Sequence, residues 1–168
     1  IACAGLLDSG KVDCCITNYP NSGLSSIHRI QKIREFHDVF VASEEYAHLK
    51  GRKIHLKELQ ESPILMLDRK SATSEFLHSL FEQHQLELAP EIELSSNDVL
   101  IDLARIGLGI GFVPDYSIPE AVSGLFVLDL AQVIPARYLA VAYNENLPVS
   151  QAARRFMDML LGDKRKPE

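Results

Sequence analysis

Apolar residues recur at helical spacing in three places along this chain, and in short unbroken runs in several others. Phe76, Leu77, Leu80 and Phe81 mark one face of a helix. Ser71, Thr73 or Ser74 stands where a cap is needed, and Glu75 puts negative charge into the first turn. Val99, Leu100, Leu103 and Ile106 mark a second helix, opened by Ser96 or Asn97. A third is predicted from about Val149 to Leu161, with Ala152, Ala153, Phe156, Met157, Leu160 and Leu161 facing inward. The strand signals are short. A helix end near Leu6 and a Ser-Gly turn lead into a strand that ends at Thr17. Ile27, Ile30 and Ile33 alternate with polar residues as an extended, partly exposed segment. Val39–Ala42, Ile64–Leu67, Glu91–Leu94, Ile110–Val113, Leu125–Leu130 and Tyr138–Tyr143 complete the set. Between them lie a polar turn region over Glu44–Gly51, one helical turn at Leu56–Leu59 and a short helix over Pro119–Ser123. Strands alternating with helices predict an α/β fold with a largely parallel sheet.

The stretch Leu103–Pro114, LARIGLGIGFVP, joins a helix to a buried strand. Glycine takes the left-handed cap conformation without steric cost, so the helix is predicted to stop at Gly107. Gly109 and Gly111 leave room for another backbone or a small ligand. A dinucleotide loop needs a strand before its glycines, a helix after them and G-x-G-x-x-G spacing. Here the order is inverted and the spacing is G-x-G-x-G, so the glycines read as a packed helix-to-strand junction.

Composition narrows the function. The 168 residues are 46% apolar and 24% charged, as in an ordinary globular protein, and carry a net charge of −6. That charge weighs against this segment gripping nucleic acid, which needs a basic face. The cluster Lys164-Arg165-Lys166 reads as a solvated tail. No apolar run is long enough to span a bilayer. Cys3, Cys14 and Cys15 form a poor disulfide framework and suit a reducing, cytoplasmic setting. Cys14 and Cys15 read as ordinary strand residues facing opposite ways; a redox pair of Cys3 with one of them has no support from spacing. The absence of an initiator Met suggests a piece of a longer protein.

Enzymatic patterns are weak. The six histidines are scattered without metal spacing, and no G-x-S-x-G elbow is present. No enzyme, metal or cofactor is therefore expected. Asp68, just past a buried strand, reads as a turn or cap residue. The more purposeful places are the strand end Ile16-Thr17-Asn18 and the strand-to-helix junctions Ser71-Ala72-Thr73 and Ser95-Ser96-Asn97. Ligands in open α/β sheets sit beyond the carboxyl ends of strands, where hydroxyls, amides and helix N-termini suit a small anion or carboxylate. The competing reading is that Ser71, Thr73 and Asn97 only cap helices. Phe112 is either a wall of such a cleft or plain core.

Taken in order, LLDSGKVDCCI, DVFVAS, HLKGRKIHLKELQESPILML, SATSEFLHSLF and SSNDVLIDLARIGLGIGFVP resemble the effector-binding domain of LysR-type bacterial transcription regulators. The resemblance covers about Leu6 to Leu161. It implies a two-lobed α/β fold like the type II periplasmic binding proteins, with a small-molecule effector between the lobes. The first subdomain would comprise 1–39 and 123–161, the second 40–122, and 162–168 a tail. Carried over residue by residue, Thr17 and Asn18 fall on the first subdomain's side of the ligand. Ser71, Ala72 and Thr73 fall on the second subdomain's loop, Ser96 and Asn97 on its next helix start, and Phe112 and Val113 on the strand by the hinge. The family's winged helix-turn-helix is absent, as is the opening strand–helix–strand of its effector domain, so the first subdomain is expected to be incomplete. The implied protein is a cytoplasmic regulator that responds to a small polar or anionic metabolite. It would touch DNA only through the absent helix-turn-helix and form a dimer or tetramer at full length. A solute-binding protein of a transport system shares the fold and is the alternative.

Overall fold

In the computed structural model, which describes residues 2–120 and 123–162, the chain runs α1 (Ala2–Asp8), β1 (Cys15–Tyr19), β2 (His28–Phe36), β3 (Asp38–Ser43), a 3-10 segment (Glu44–Leu49), β4 (Lys53–Ile54), α2 (Leu56–Leu59), β5 (Ile64–Leu67), α3 (Ala72–Gln83), β6 (Ile92–Leu94), α4 (Asn97–Arg105), β7 (Ile110–Pro114), a 3-10 turn (Asp115–Ser117), β8 (Leu125–Val127), β9 (Asp129–Leu130), β10 (Arg137–Asn144) and α5 (Gln151–Leu161). The basic cluster at 164–166 and two residues of the helix expected over Pro119–Ser123 lie outside the described residues. The chain divides into two units, one formed by Phe36–Ala136 and the other by the chain up to Glu35 and from Arg137 onward.

The terminal unit is built on a three-stranded sheet with β10 between β1 and β2. β1 runs antiparallel to β10, with Thr17 opposite Ala140 and Asn18 opposite Leu139. Ala140, Val141 and Ala142 are all fully buried, so the middle of β10 is covered on both faces. From α1, Ala4 and Leu7 enter the core at i and i+3. The same helix ends beside a buried histidine: His28 Nε2 lies 3.0 Å from Asp8 Oδ1, while His28 Nδ1 accepts from the Ser25 amide at 3.0 Å. On α5 the expected broad inner face is narrower. Met157 is buried, Ala153, Leu160 and Leu161 are half-buried, and Ala152 and Phe156 are exposed. The covered stripe follows i, i+4, i+7, i+8, and Phe156 sits to one side of it.

The central unit holds a five-stranded sheet in the order β6-β5-β7-β3-β8, with a small β4–β9 pair beside it in sequence. β5 is parallel to β6 and β7, whereas β3 is antiparallel to β7 and β8. The sheet is thus mixed rather than largely parallel. The alternation of strands and helices fixes direction only for the crossovers through α3 and α4; it is silent about β3 and about β8. β8 pairs Val41, Ala42 and Ser43 with Val127, Phe126 and Leu125. Residues 123–136 therefore fall in this unit, and its bounds lie at 36 and 136 where the sequence suggested 40 and 122. The run expected as one strand over Leu125–Leu130 is two, separated at Leu128.

Two apolar layers sandwich this sheet, and the two-residue period of the strands sorts their members. Phe40, Ile64, Met66 and Phe112 pack with Leu77, Leu80 and Phe81 of α3. Val41, Leu65 and Val113 pack with Leu100, Ile101 and Ala104 of α4. The inner face of α4 is therefore Leu100, Ile101 and Ala104, while Val99 and Ile106, expected on it, are 47% and 65% exposed. The reason lies in β7. A side chain at Gly111 would start 2.6 Å from Leu100 Cδ2 and 3.3 Å from Ala104 Cβ, so these two residues occupy the space glycine leaves and set the rotation of the helix.

The helix-to-strand junction behaves as its residues suggest. Gly107 adopts φ +86°. Its amide donates to Ala104 O at 3.1 Å and that of Leu108 to Leu103 O at 3.1 Å, the paired bonds of a Schellman cap. At Gly109 a Cβ would lie 2.7 Å from the Pro63 carbonyl oxygen, the same oxygen that receives the Ile110 amide at 2.8 Å. Gly109→Ala is expected to force β5 and β7 apart and to destabilise the protein by about 1–3 kcal/mol. Gly5→Ala, in α1 with nothing near its would-be Cβ, should instead stabilise by about 0.5–1 kcal/mol. Urea unfolding midpoints of the two variants measure both effects.

Candidate functional site

Because β5, β6 and β7 are mutually aligned, their carboxyl ends share one edge of the sheet. Three polar segments leave from that edge. After β5 the chain turns at Asp68, whose Oδ1 accepts from the Lys70 amide at 3.0 Å. Ser71 follows as the N-cap of α3, its Oγ accepting from the amides of Thr73 at 3.2 Å and Ser74 at 3.3 Å. Ser74 donates its hydroxyl to Leu67 O, which closes the turn onto the strand. Thr73 is buried, with Ser71 and Ala72 half-buried beside it. The capping role expected of Ser71 is thus filled, and it consumes that hydroxyl's acceptor capacity.

The second segment behaves differently. Ser96 occupies the N-cap position of α4, yet its side chain makes no capping bond. Asn97 does not cap either: it is the first helical residue, and its Nδ2 donates to Ser117 Oγ at 3.2 Å. Its Oδ1 is buried without a hydrogen-bond partner. Ser117 comes from the third segment, the turn Asp115–Ser117 that follows β7. It was not foreseen, although any polar residue just past a central parallel strand is a candidate by the same edge rule. Of the nearby cations, Arg69 is exposed and lies 3.5 Å from Glu93 Oε1, and Lys70 is exposed.

Thr17 and Asn18 belong to the terminal unit, at the carboxyl end of β1. Thr17 Oγ1 accepts from Asn21 Nδ2 at 2.9 Å and donates to Asn18 O at 3.3 Å. Asn21 Oδ1 in turn accepts from the Gly23 amide at 2.9 Å. Asn21, read only as a loop residue in sequence, therefore shapes the loop that leaves this strand.

Phe112 and Val113 are placed in the core. Both are fully buried, and the Phe112 ring lies 4.7 Å from Phe40 and 6.5 Å from Phe76 between centroids. Strand alternation sends Phe112 into the α3 layer and Val113 into the α4 layer, so neither side chain offers a surface to a ligand. Burying such a ring is worth about 2–3 kcal/mol, which accounts for Phe112 without a ligand. Two buried charges were also missed: Asp38 and Arg137 are 1% and 0% exposed, and both are engaged by partners. A charge this deeply buried must be compensated, but only burial reveals it, and sequence does not report burial of a charged residue.

Among the described residues no helix is long and apolar enough to cross a membrane, and no group of three or more His, Cys, Asp or Glu could hold a metal ion.

The family model of the LysR substrate binding domain matches residues 2–164. The HTH-type transcriptional activator CmpR of Synechocystis sp. is 30% identical over 124 residues, 73% of this chain and 41% of that protein, so the chain spans less than half the length of this relative. Among solved structures, the Synechocystis PCC6803 CcmR regulatory domain in complex with 2-PG superposes with a TM-score of 0.83 at 20% identity, covering 98% of this chain and 79% of that one. The effector binding domain of QuiR in complex with shikimate gives a TM-score of 0.79 at 18% identity, covering 94% and 74%. These likenesses show the shared fold. Likeness to a transcriptional activator favours the regulator reading over the transport reading. Residues 2–164 carry the matching pattern over nearly the whole sequence, and the chain belongs to the LysR substrate-binding domain family.

Proposed function

We propose that this chain is the effector-sensing part of a LysR-type transcription regulator and that it takes a small polar or anionic metabolite. In the central unit the contacts are assigned to Ser71, Ala72 and Thr73 and to Ser96 and Asn97 with Ser117; in the terminal unit Thr17 and Asn18 are assigned as polar contacts of their own. One observation carries the assignment. Asn97 Oδ1 is buried without a partner, beside a Ser96 hydroxyl that caps nothing. Buried polar atoms are normally satisfied, and each exception needs an account. A ligand bearing a donor answers the orphaned oxygen, and a carboxylate or hydroxyl answers the uncapped helix start. CcmR with 2-PG and QuiR with shikimate are relatives in fold that hold small molecules of this polar kind.

Regulation then requires that the effector favour one conformational state over another, since a ligand with equal affinity for both shifts nothing. The net charge of −6 weighs against a DNA-gripping face on this segment, and DNA binding is proposed to lie in a helix-turn-helix elsewhere in the full-length protein. That protein is proposed to be cytoplasmic and homo-oligomeric.

Calorimetric titration of a full-length version with small organic acids, 2-PG and shikimate among them, tests the reading. Ser96→Ala is expected to weaken binding by roughly 2- to 12-fold, the worth of one hydrogen bond, with no change in unfolding midpoint. Ser71→Ala should instead lower stability by about 1 kcal/mol, because its hydroxyl caps α3. Affinity that persists unchanged in a Thr17→Val, Thr73→Val double variant would remove the site assignment.

A further inference from the structure

Where α5 meets β2 and β10, the terminal unit holds a cavity of about 300 Å³ lined by Gln31, Tyr143, Val149, Arg154, Met157 and Asp158. All six residues belong to that unit, so the cavity is separate from the polar edge of the central sheet. Arg154 and Asp158 stand four residues apart on α5 and therefore share one side of the helix, about 5–6 Å apart at Cβ. Met157 is buried beside them and Val149 is half-buried, which gives the cavity an apolar wall. Gln31 of β2 and Tyr143 of β10, both half-buried, add an amide and a phenol.

The two charges mark this cavity out. Arg154 Nε donates to Val149 O at 3.3 Å, which ties the side chain down and leaves its other guanidinium N–H groups for a further acceptor. Among the described residues neither Arg154 nor Asp158 has an ion-pair partner, and they do not pair with each other. A base placed N-terminal to an acid at this spacing is the weaker order for a helical ion pair. Opposite charges thus line one hollow without neutralising each other. A simple organic anion would meet Asp158 as a like charge, and a simple amine would meet Arg154 as one. A molecule that carries both signs close together satisfies both.

We propose that this cavity is a second ligand site and takes a free α-amino acid with an apolar side chain. The carboxylate accepts from the Arg154 guanidinium, and the ammonium donates to the Asp158 carboxylate. Tyr143 and Gln31 offer further hydrogen bonds to the same head group, and Met157 and Val149 meet the side chain. The volume stands at the lower end of the range for small-molecule pockets, about 300–1,000 Å³, which suits a single amino acid better than a peptide.

Equilibrium dialysis of a full-length version against L-valine, L-leucine and L-methionine tests the site. At least one is expected to bind, and to stop binding once its carboxylate is amidated or its ammonium acetylated. Arg154→Gln and Asp158→Asn should each weaken that binding about 10-fold, the worth of one charge-assisted hydrogen bond. Both side chains are exposed, so the unfolding midpoints of these variants should match the wild type. Ser96→Ala, which alters the contacts proposed in the central unit, should leave amino-acid affinity unchanged. No binding of any of the three at millimolar concentration overturns the proposal. So do equal binding of the amidated or acetylated forms, an affinity unmoved in both charge variants, or an affinity that falls with Ser96→Ala instead.

Discussion

The absence of side chains at Gly109 and Gly111 governs the central unit. Strand β7 lies in the middle of its sheet, and two things press on it from different sides. The Pro63 carbonyl approaches at Gly109, and α4 approaches at Gly111 through Leu100 and Ala104. Any Cβ at these points would displace a neighbour that is itself held. Close packing of this kind transmits displacement rather than absorbing it. The seating of Leu100 and Ala104 fixes the rotation of α4 about its axis. That rotation determines where the first residue of the helix, Asn97, directs its amide: toward Ser117 at the end of β7. A core constraint and a polar site are thus set by the same strand.

The polar groups along the carboxyl edge of this sheet divide into two kinds. Those around α3 serve the fold. Ser71 caps, Asp68 turns the chain and Ser74 ties the helix to β5. Those around α4 are only partly used, with Ser96 making no cap and Asn97 Oδ1 unmatched. Of the two helix starts on this edge, the first is satisfied and the second is left open. This distinction, more than the presence of serines and threonines at both junctions, is what supports the proposal of the second as a ligand contact.

The terminal unit depends on a different kind of contact. Its helix α1 is held by Ala4 and Leu7 in the core and by Asp8 beside His28. The loop after β1 is held by Asn21 on Thr17. Asp38 and Arg137, both buried and both engaged, sit just beyond the two points where the chain passes from one unit to the other. Buried charges at such crossings are costly to leave unmatched, so the strands that carry them are constrained in register as well as in place.

By itself the sequence determined the elements and their family. Apolar periodicity marked α3 and α4 and most strands, because burial on one face leaves a period of 3.6 or 2 in the chain. Gly107 announced its cap, because only a residue without Cβ takes that conformation freely. The ordered motifs from LLDSG to GFVP carried the family, since each reflects a local turn or junction. The tertiary structure alone decided what depends on residues far apart. It reversed β3 against β7, moved 123–136 into the central unit through the pairing of β8, and turned Val99, Ile106 and Phe156 outward. It also drew Phe112 into the core and left Asn97 Oδ1 without a partner. Local patterns record whether a residue is buried within its own element. They do not record which neighbour buries it, in which direction that neighbour runs, or whether its polar atoms find a match, because those are properties of contacts between segments that the chain brings together only on folding.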